Sequence, residues 1–267
     1  MFQERKMNLI VCIKQVPNTT EIKIDPVTNT LIREGVESII NPFDLYAIEE
    51  AVRLKEKHGG KVTALSMGPP QVEAALREAV SMGVDEIILL SDKRFAGSDT
   101  WATSLTLAAA LRKIKIYDLI LFGQQAIDGD TAQVGPGVAA HLSLPQTCFV
   151  RNIAELSTNS ITVERLMEDG FDTVEMDLPA VVTVVKEINV PRLPSLRGKR
   201  IAKSASLVVW NADDLELPDN EIGLNGSPTQ VVKIFSPQLD KEGEKYEVSS
   251  EEAVEILYRK LQKLKNQ

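Results

Sequence analysis

The chain has 267 residues, 43% of them hydrophobic and 5% aromatic, with a formal net charge of −8. That length suffices for one large domain, or one domain with an appendage, around a sizeable core. The acidic balance and the scarcity of aromatics argue against a nucleic-acid partner, which asks for cations along a backbone and rings for stacking.

Residues 8–14, NLIVCIK, read as a buried strand, short, apolar and β-branched. Residues 20–33 carry the turn signals of a small hairpin. Asn41-Pro42 places an N-cap and a first-turn proline, and the helix they open runs to about Lys57 and stops at Gly59-Gly60. A strand from Lys61 to Met67 ends at Gly68-Pro69-Pro70, and a helix follows over 71–81. Then come a strand at 86–90, a helix at 99–113, a strand at 118–122 and a helix at 131–142. Strands alternating with helices of this length predict βαβ units: an open parallel sheet with helices on both faces, a Rossmann-like nucleotide-binding α/β fold.

Beyond Pro145 the period changes. Short β segments are expected at 160–166, 171–178 and 180–185, the first two forming an antiparallel pair that turns at Asp169-Gly170. The basic, proline-rich stretch 189–203 matches neither helix nor strand. Residues 214–247 are polar and turn-rich, as in an extended arm, and the arm ends in an amphipathic helix over 251–265. Ala253, Val254, Leu257, Leu261 and Leu264 share one face of that helix, which could pack on its own domain or on a partner. The expected division is 1–213 for the α/β domain and 214–267 for the arm.

In an open parallel sheet, ligands bind beyond the carboxyl ends of the strands, where the strand order switches. The loops 14–18, 67–70, 91–99 and 123–130 lie there, and the last two precede helix N-termini that can hold an anion. Neither GxGxxG nor GxxxxGK[ST] occurs. In DGDTAQVGPG, Asp130 is either the N-cap of a helix from 131, with Asp128 a turn residue, or the same geometry turns N–H groups onto a pyrophosphate. In the second case Gly129, Gly135 and Gly137 would allow close approach, and Thr131 and Gln133 would add donors. Lys14 would meet a phosphate or simply snorkel. His58 and His141 read as surface or packing residues. Cys12 and Cys148 form neither a disulfide framework nor a metal-spaced set, which fits a reducing cytoplasm. No apolar run approaches the ~18 residues of a membrane span, and the opening MFQERK lacks the apolar stretch of a secretory signal. No side-chain set for bond-making catalysis can be assembled, so binding of a cofactor that does its own chemistry is the better expectation.

The segments VCIKQVP, INPFDLYAIEEAVRLKEK, MGPP, GSDTWATS, GQQAIDGDTAQVGP, LPAVVTVVKE and GSPTQV, in this order, together resemble the β subunit of electron-transfer flavoproteins. The resemblance runs from Met7 to the terminal helix. It implies an obligate heterodimer, in which the arm and last helix reach onto the FAD domain of the α subunit. It also implies one of two ligands in the β subunit. One group of the family holds AMP and shuttles electrons from a dehydrogenase. The other holds FAD and bifurcates the electrons of NADH between ferredoxin and a flavin-containing dehydrogenase. The sequence DGDTAQVGP looks like the second group, because Gly129 stands where the AMP group has a further carboxylate. Gln124 departs from the arginine often found there, which alters the electrostatics near the flavin.

Carried over residue by residue, the cofactor contacts implied are Cys12, Asn41, Pro42, Phe43, Asp44, Met67, and the run Asp128, Gly129, Asp130, Thr131, Ala132, Gln133, Val134, Gly135, Pro136, Gly137, Val138 and Ala139. Asp99 and Thr100 are candidates near a flavin ring. The loop 191–200 resembles the segment that anchors the dehydrogenase, with Leu196 as apolar plug among Arg192, Arg197, Lys199 and Arg200. A non-redox adenine-nucleotide-binding protein is the remaining alternative, although the SGGxDS loop of adenylating proteins is absent.

Overall fold

The apolar run of the first strand is continuous because both of its faces are covered. In the computed structural model, which describes residues 6–18, 38–232 and 243–265, β1 (Met7–Cys12) lies in the middle of a nine-stranded sheet. Leu9 and Val11 point into one core layer, and Ile10 and Cys12 into the other. The first layer is closed by α1 (Pro42–His58) through Ala47, Ile48 and Ala51, and by α2 (Glu73–Met82) through Leu76 and Ala79. The second is closed by α3 (Thr100–Ile114) through Leu107 and Leu111, and by α4 (Val134–Leu142) through Val138 and Ala139. Two covered faces are what a parallel sheet requires.

On one side of β1 lie β4 (Gly60–Met67), β5 (Glu86–Leu90) and, at the edge, β11 (Leu207–Trp210), all parallel. On the other lie β6 (Leu119–Gly123), β10 (Ala180–Val184) and β7 (Gln146–Leu156), also parallel, with Leu9 facing Val62 and Leu119 in register. The antiparallel strands β8 (Ser160–Leu166) and β9 (Phe171–Asp177) extend β7 outward, and β9 forms the second edge. Their turn at Asp169-Gly170 is the one read from the sequence. A separate two-stranded sheet joins β2 (Gln15–Pro17) to β3 (Ser38–Ile40). The hairpin expected over 20–33 lies outside the described residues.

Three expectations are corrected. The stretch 189–203 is helical from Leu196: α5 (Leu196–Ser204) starts at Ser195, whose Oγ accepts from the Gly198 N–H at 2.9 Å. Its pattern is hard to read because only Gly198 and Ala202 of its nine residues are buried. Residues 214–232 are not a loose arm, because Leu215 and Ile222 enter the second core layer. Arg94 also ties this stretch down, through Asp219 at 3.2 Å and through Asp213, just ahead of it, at 2.9 Å. The chain accordingly divides into Met1–Val232 and Lys233–Gln267, later than the expected boundary at 213/214. The third correction, the start of α4, belongs to the site below. Within the second unit, α6 (Ser250–Lys265) has no buried residue, and Val254, Leu257, Leu261 and Leu264 form its bare apolar face. No helix among the described residues is long and apolar enough to cross a membrane.

The seam between α5 and α2 yields a stability test. A Cβ on Gly198 would stand 2.1 Å from the Ser81 carbonyl oxygen, which is backbone and cannot swing away. Gly198→Ala must push the helices apart, at a cost of roughly 2–3 kcal/mol, or about 5–10 °C in Tm. Gly170→Ala, where a Cβ meets nothing within 4 Å, should shift Tm by less than about 2 °C. Equal Tm values for the two variants would refute this account of the seam.

Candidate functional site

The chain builds the sheet outward from β1 in one direction and then returns to add β6 on its other side, so the strand order reverses between β1 and β6. The loops after these two strands and the start of α1 therefore converge. What joins them is a set of buried polar contacts. Asp44, buried in the first turn of α1, accepts the Lys14 N–H at 2.7 Å and the Asn41 Nδ2–H at 3.0 Å, together with a hydrogen bond from the Gly123 backbone. A Cβ on Gly123 would sit 2.4 Å from the Asp44 carboxylate, so glycine is what lets β6 end against α1. Burial pushes the Asp44 carboxyl up to about 7, against the pull of these donors and of the Lys14 charge.

Asn41 occupies the N-cap position but its side chain makes no cap bond. It reaches across instead, donating to the Gln125 carbonyl at 2.8 Å and accepting from the Ile127 N–H at 3.1 Å. The residue read as a helix cap is thus the clip that holds the loop after β6.

That loop keeps Asp128 in a turn, as expected, but departs from the reading of Asp130 as a helix cap. α4 begins at Val134, with Gln133 at its N-cap, not at 131. Asp130 cannot cap it, because Asp130 and Ala132 both stand in the left-handed region with φ of 53°. Asp130 is fixed by its N–H to the Ala126 carbonyl at 2.8 Å and by the Gln125 side-chain amide. Asp128 is paired with Lys14, whose Nζ lies 2.6 and 2.8 Å from its two oxygens. A left-handed Ala132 followed by a right-handed Gln133, at φ −99° and ψ −22°, turns successive N–H groups toward one point, the geometry of an anion nest. The N–H groups of 131–134 donate to no other group among the described residues, and they stand at the positive end of α4.

The glycines of this run divide in two. Gly135 and Gly137 are needed by the fold: a Cβ would meet Thr183 at 2.8 Å and Ser104 at 2.7 Å respectively, so they let α4 lie on the sheet and on α3. At Gly129 a Cβ would meet nothing within 4 Å, and its φ needs no glycine. Val138, Ala139 and Cys12 are buried in the core, and Met67 packs against the same layer. Burial also pushes the Cys12 thiol up. Pro42 fills the first position of α1, and Thr131 is exposed.

Beside the loop, Asp99 caps α3 by accepting from the N–H groups of Trp101 and Ala102 at 2.9 and 3.1 Å. Its other oxygen accepts from the Thr229 N–H and hydroxyl, at 3.0 and 2.8 Å. Thr100 donates to Gln133 Oε1 at 2.9 Å, which joins the first turns of α3 and α4. On the far side, Phe43 and Gln124 line a cavity of about 590 Å³ together with Phe149, Arg165 and Met167. Phe149 is left-handed, at φ 61°, where the pairing of β7 with β10 shifts register. His141 packs edge-on against Trp101 at 4.7 Å, and burial lowers its pKa.

In the segment 191–200 the cations are not equivalent. Arg192 is engaged by Glu49 at 2.7 Å and by Glu56 at 2.7 Å, because the nearly buried Glu49 carboxylate requires a counter-charge. It fastens the segment to α1. Arg197, Lys199 and Arg200 are exposed, as is Leu196 at 88%. Val190 and Leu193, not singled out from the sequence, are exposed beside it at 80% and 88%. Left-handed non-glycine residues, the Asn41 clip and the cavity around Arg165 were also missed. Only the general tolerance of Asp for the left-handed region hinted at the first of these.

Two tests follow from the buried contacts. Asn41→Ala leaves the Gln125 carbonyl and the Ile127 N–H without partners, which should cost roughly 2–3 kcal/mol. Hydrogen exchange should rise most at Ile127, and a uniform rise across α1 would count against the clip. Asp44 tests the burial effect. Its folded-state pKa is raised from 3.8 to about 7, so its contribution to stability is whole below about pH 4 and is lost as pH rises through 7. A carboxyl-carbon NMR titration should place its midpoint near 7; a midpoint below about 5 would show that the donors outweigh burial.

Comparison with known proteins agrees with this architecture. The family "Electron transfer flavoprotein domain" matches residues 28–215. The electron transfer flavoprotein subunit beta of Thermoanaerobacterium thermosaccharolyticum is 52% identical over 96% of this chain and 98% of its own. The caffeyl-CoA reductase-Etf complex subunit CarD of Acetobacterium woodii is 49% identical over 89% of this chain and 91% of its own. Protein FixA of Azorhizobium caulinodans is 46% identical over 88% and 86%. Matches of this extent, on an α/β sheet whose switch point ends in an anion nest, place the chain in the electron transfer flavoprotein β-subunit family.

Proposed function

We propose that this chain pairs with an α subunit, that its 128–134 loop binds the pyrophosphate of an FAD, and that the heterodimer carries out NADH-dependent electron bifurcation between ferredoxin and a flavin-containing dehydrogenase. The observation that carries the phosphate assignment is the set of N–H groups at 131–134, at the head of α4, that have no partner among the described residues. Gln133 strengthens it. Its oxygen is held by Thr100, so its amide N–H groups are the part left to donate. The choice of FAD over AMP rests on Gly129, where the chain's own packing makes no demand for glycine. A side chain there would occupy space that a second phosphate needs. The second reading, AMP with simple electron carriage, uses the same N–H groups for a single phosphate.

Bound flavin would supply one- and two-electron transfer. The chain's own residues bind, orient and exclude water. The nest and α4 fix the phosphates, and the Asn41 clip fixes the loop that carries them. The similarity to a subunit of a caffeyl-CoA reductase complex supports a dehydrogenase or reductase as the docking partner. For that role the segment around Leu196 offers apolar side chains ringed by Arg197, Lys199 and Arg200. The bare apolar face of α6 supports the reading of the C-terminal unit as the contact with the α subunit.

Cofactor extraction from the purified heterodimer tests the choice. Two FAD per heterodimer is the expected outcome, whereas one FAD with one AMP would establish the second reading. Gly129→Asp introduces a carboxylate without a clash, so the protein should fold normally and lose one FAD of the two, with affinity down at least about tenfold. An unchanged flavin count and affinity would remove Gly129 from the site.

A further inference from the structure

The ion pair between Lys14 and Asp128 serves no evident need of the fold. Both partners are open to water, with side chains 48% and 31% exposed, and such pairs add little to stability. Yet the contact is close and involves both carboxylate oxygens, at 2.6 and 2.8 Å. The backbone of Lys14 is anchored on both sides of its peptide: its N–H donates to Asp44 at 2.7 Å and its carbonyl accepts from the Asn41 N–H at 2.8 Å. Only the side chain can move. It leaves the carboxyl end of β1 at the switch point, and Asp128 stands three residues ahead of the first unpaired N–H of the nest. A carboxylate that accepts an ammonium through two oxygens makes the same kind of contact as a phosphate.

Resting on the reading above that this loop takes nucleotide phosphates, we propose that Asp128 is a stand-in anion. Its carboxylate holds the Lys14 ammonium at the mouth of the nest until a ligand phosphate displaces it. Lys14 is then the cation that selects phosphorylated over unphosphorylated adenosine ligands. Displacement is easy because the released Asp128 is exposed enough to be rehydrated. The two residues consequently act in opposite directions. Lys14 adds to phosphate affinity, while Asp128 subtracts from it by competing for the same ammonium and by repelling the incoming charge. No covalent bond is made or broken in this exchange.

The test is calorimetric titration of the nucleotide-stripped native assembly with AMP, FAD and adenosine. Lys14→Met should weaken AMP and FAD about tenfold and leave adenosine within a factor of about two. Lys14→Arg should restore most of the loss. Asp128→Asn should tighten AMP and FAD by about threefold to tenfold, with a larger gain at low salt, and the double variant should bind more tightly than Lys14→Met but more weakly than Asp128→Asn, because only the repulsion is relieved in it. Weaker AMP binding by Asp128→Asn would overturn the proposal, because Asp128 would then be a ligand contact in its own right. Equal losses for AMP and adenosine in Lys14→Met would overturn it too, as would no change in either single variant. In these cases the wild type still binds AMP or FAD, and the reading of the loop stands. A wild-type assembly that binds neither would overturn that reading and this inference with it.

Discussion

A buried carboxylate holds the switch-point end of the sheet together. Asp44 lies where β1 ends, where β6 ends and where α1 begins, and it receives a hydrogen bond from each of these places. Through these bonds the three chain segments are tied to one point. Asn41 extends the same junction by one more step and carries it into the loop after β6. The left-handed residues of that loop hold a sparsely populated conformation, which persists only where the surroundings over-determine it. The Asn41 clip on one side and the packing of Gly135 and Gly137 on the other provide that constraint.

The alternation of strand and helix was legible because burial on both faces leaves an unmistakable run of apolar residues in each parallel strand. The local structure of the candidate site was legible only where chain punctuation marks it. Asn41-Pro42 gave the start of α1, and Gly129 stood out as a glycine. The sequence could not show that Asn41 uses its side chain across the fold and not along the helix, since both uses call for the same residue. Nor could it show that α4 starts at Val134, because Asp130 is as good a cap in composition as it is a left-handed residue in fact. The helix α5 was hidden for a different reason. Its register is set by one close approach, at Gly198, and not by an apolar stripe.

Long-range pairing was the least accessible part. β10 inserts between β6 and β7 although β7, β8 and β9 all precede it in the chain. Nothing in the local pattern of Ala180–Val184 distinguishes an interior parallel strand from an edge strand, beyond its burial along the whole length. The same holds for Arg192. A basic residue in a proline-rich segment looks solvated, and its true partner is Glu49, 143 residues away.

The outer strand β9 leaves one edge of the sheet unpaired by any other strand among the described residues. Open edges invite copies of a protein to stack strand against strand. Here the edge reads FDTVEMD, and Asp172, Glu175 and Asp177 are all exposed along it. Two such edges brought side by side would set carboxylate against carboxylate, and the overall charge of −8 repels in the same sense. The protein thus keeps a long sheet with a free margin while its own chemistry discourages it from polymerising there. That protection weakens in acid, where the carboxylates are neutralised, so the solubility of this molecule is tied to pH through the margin of its sheet.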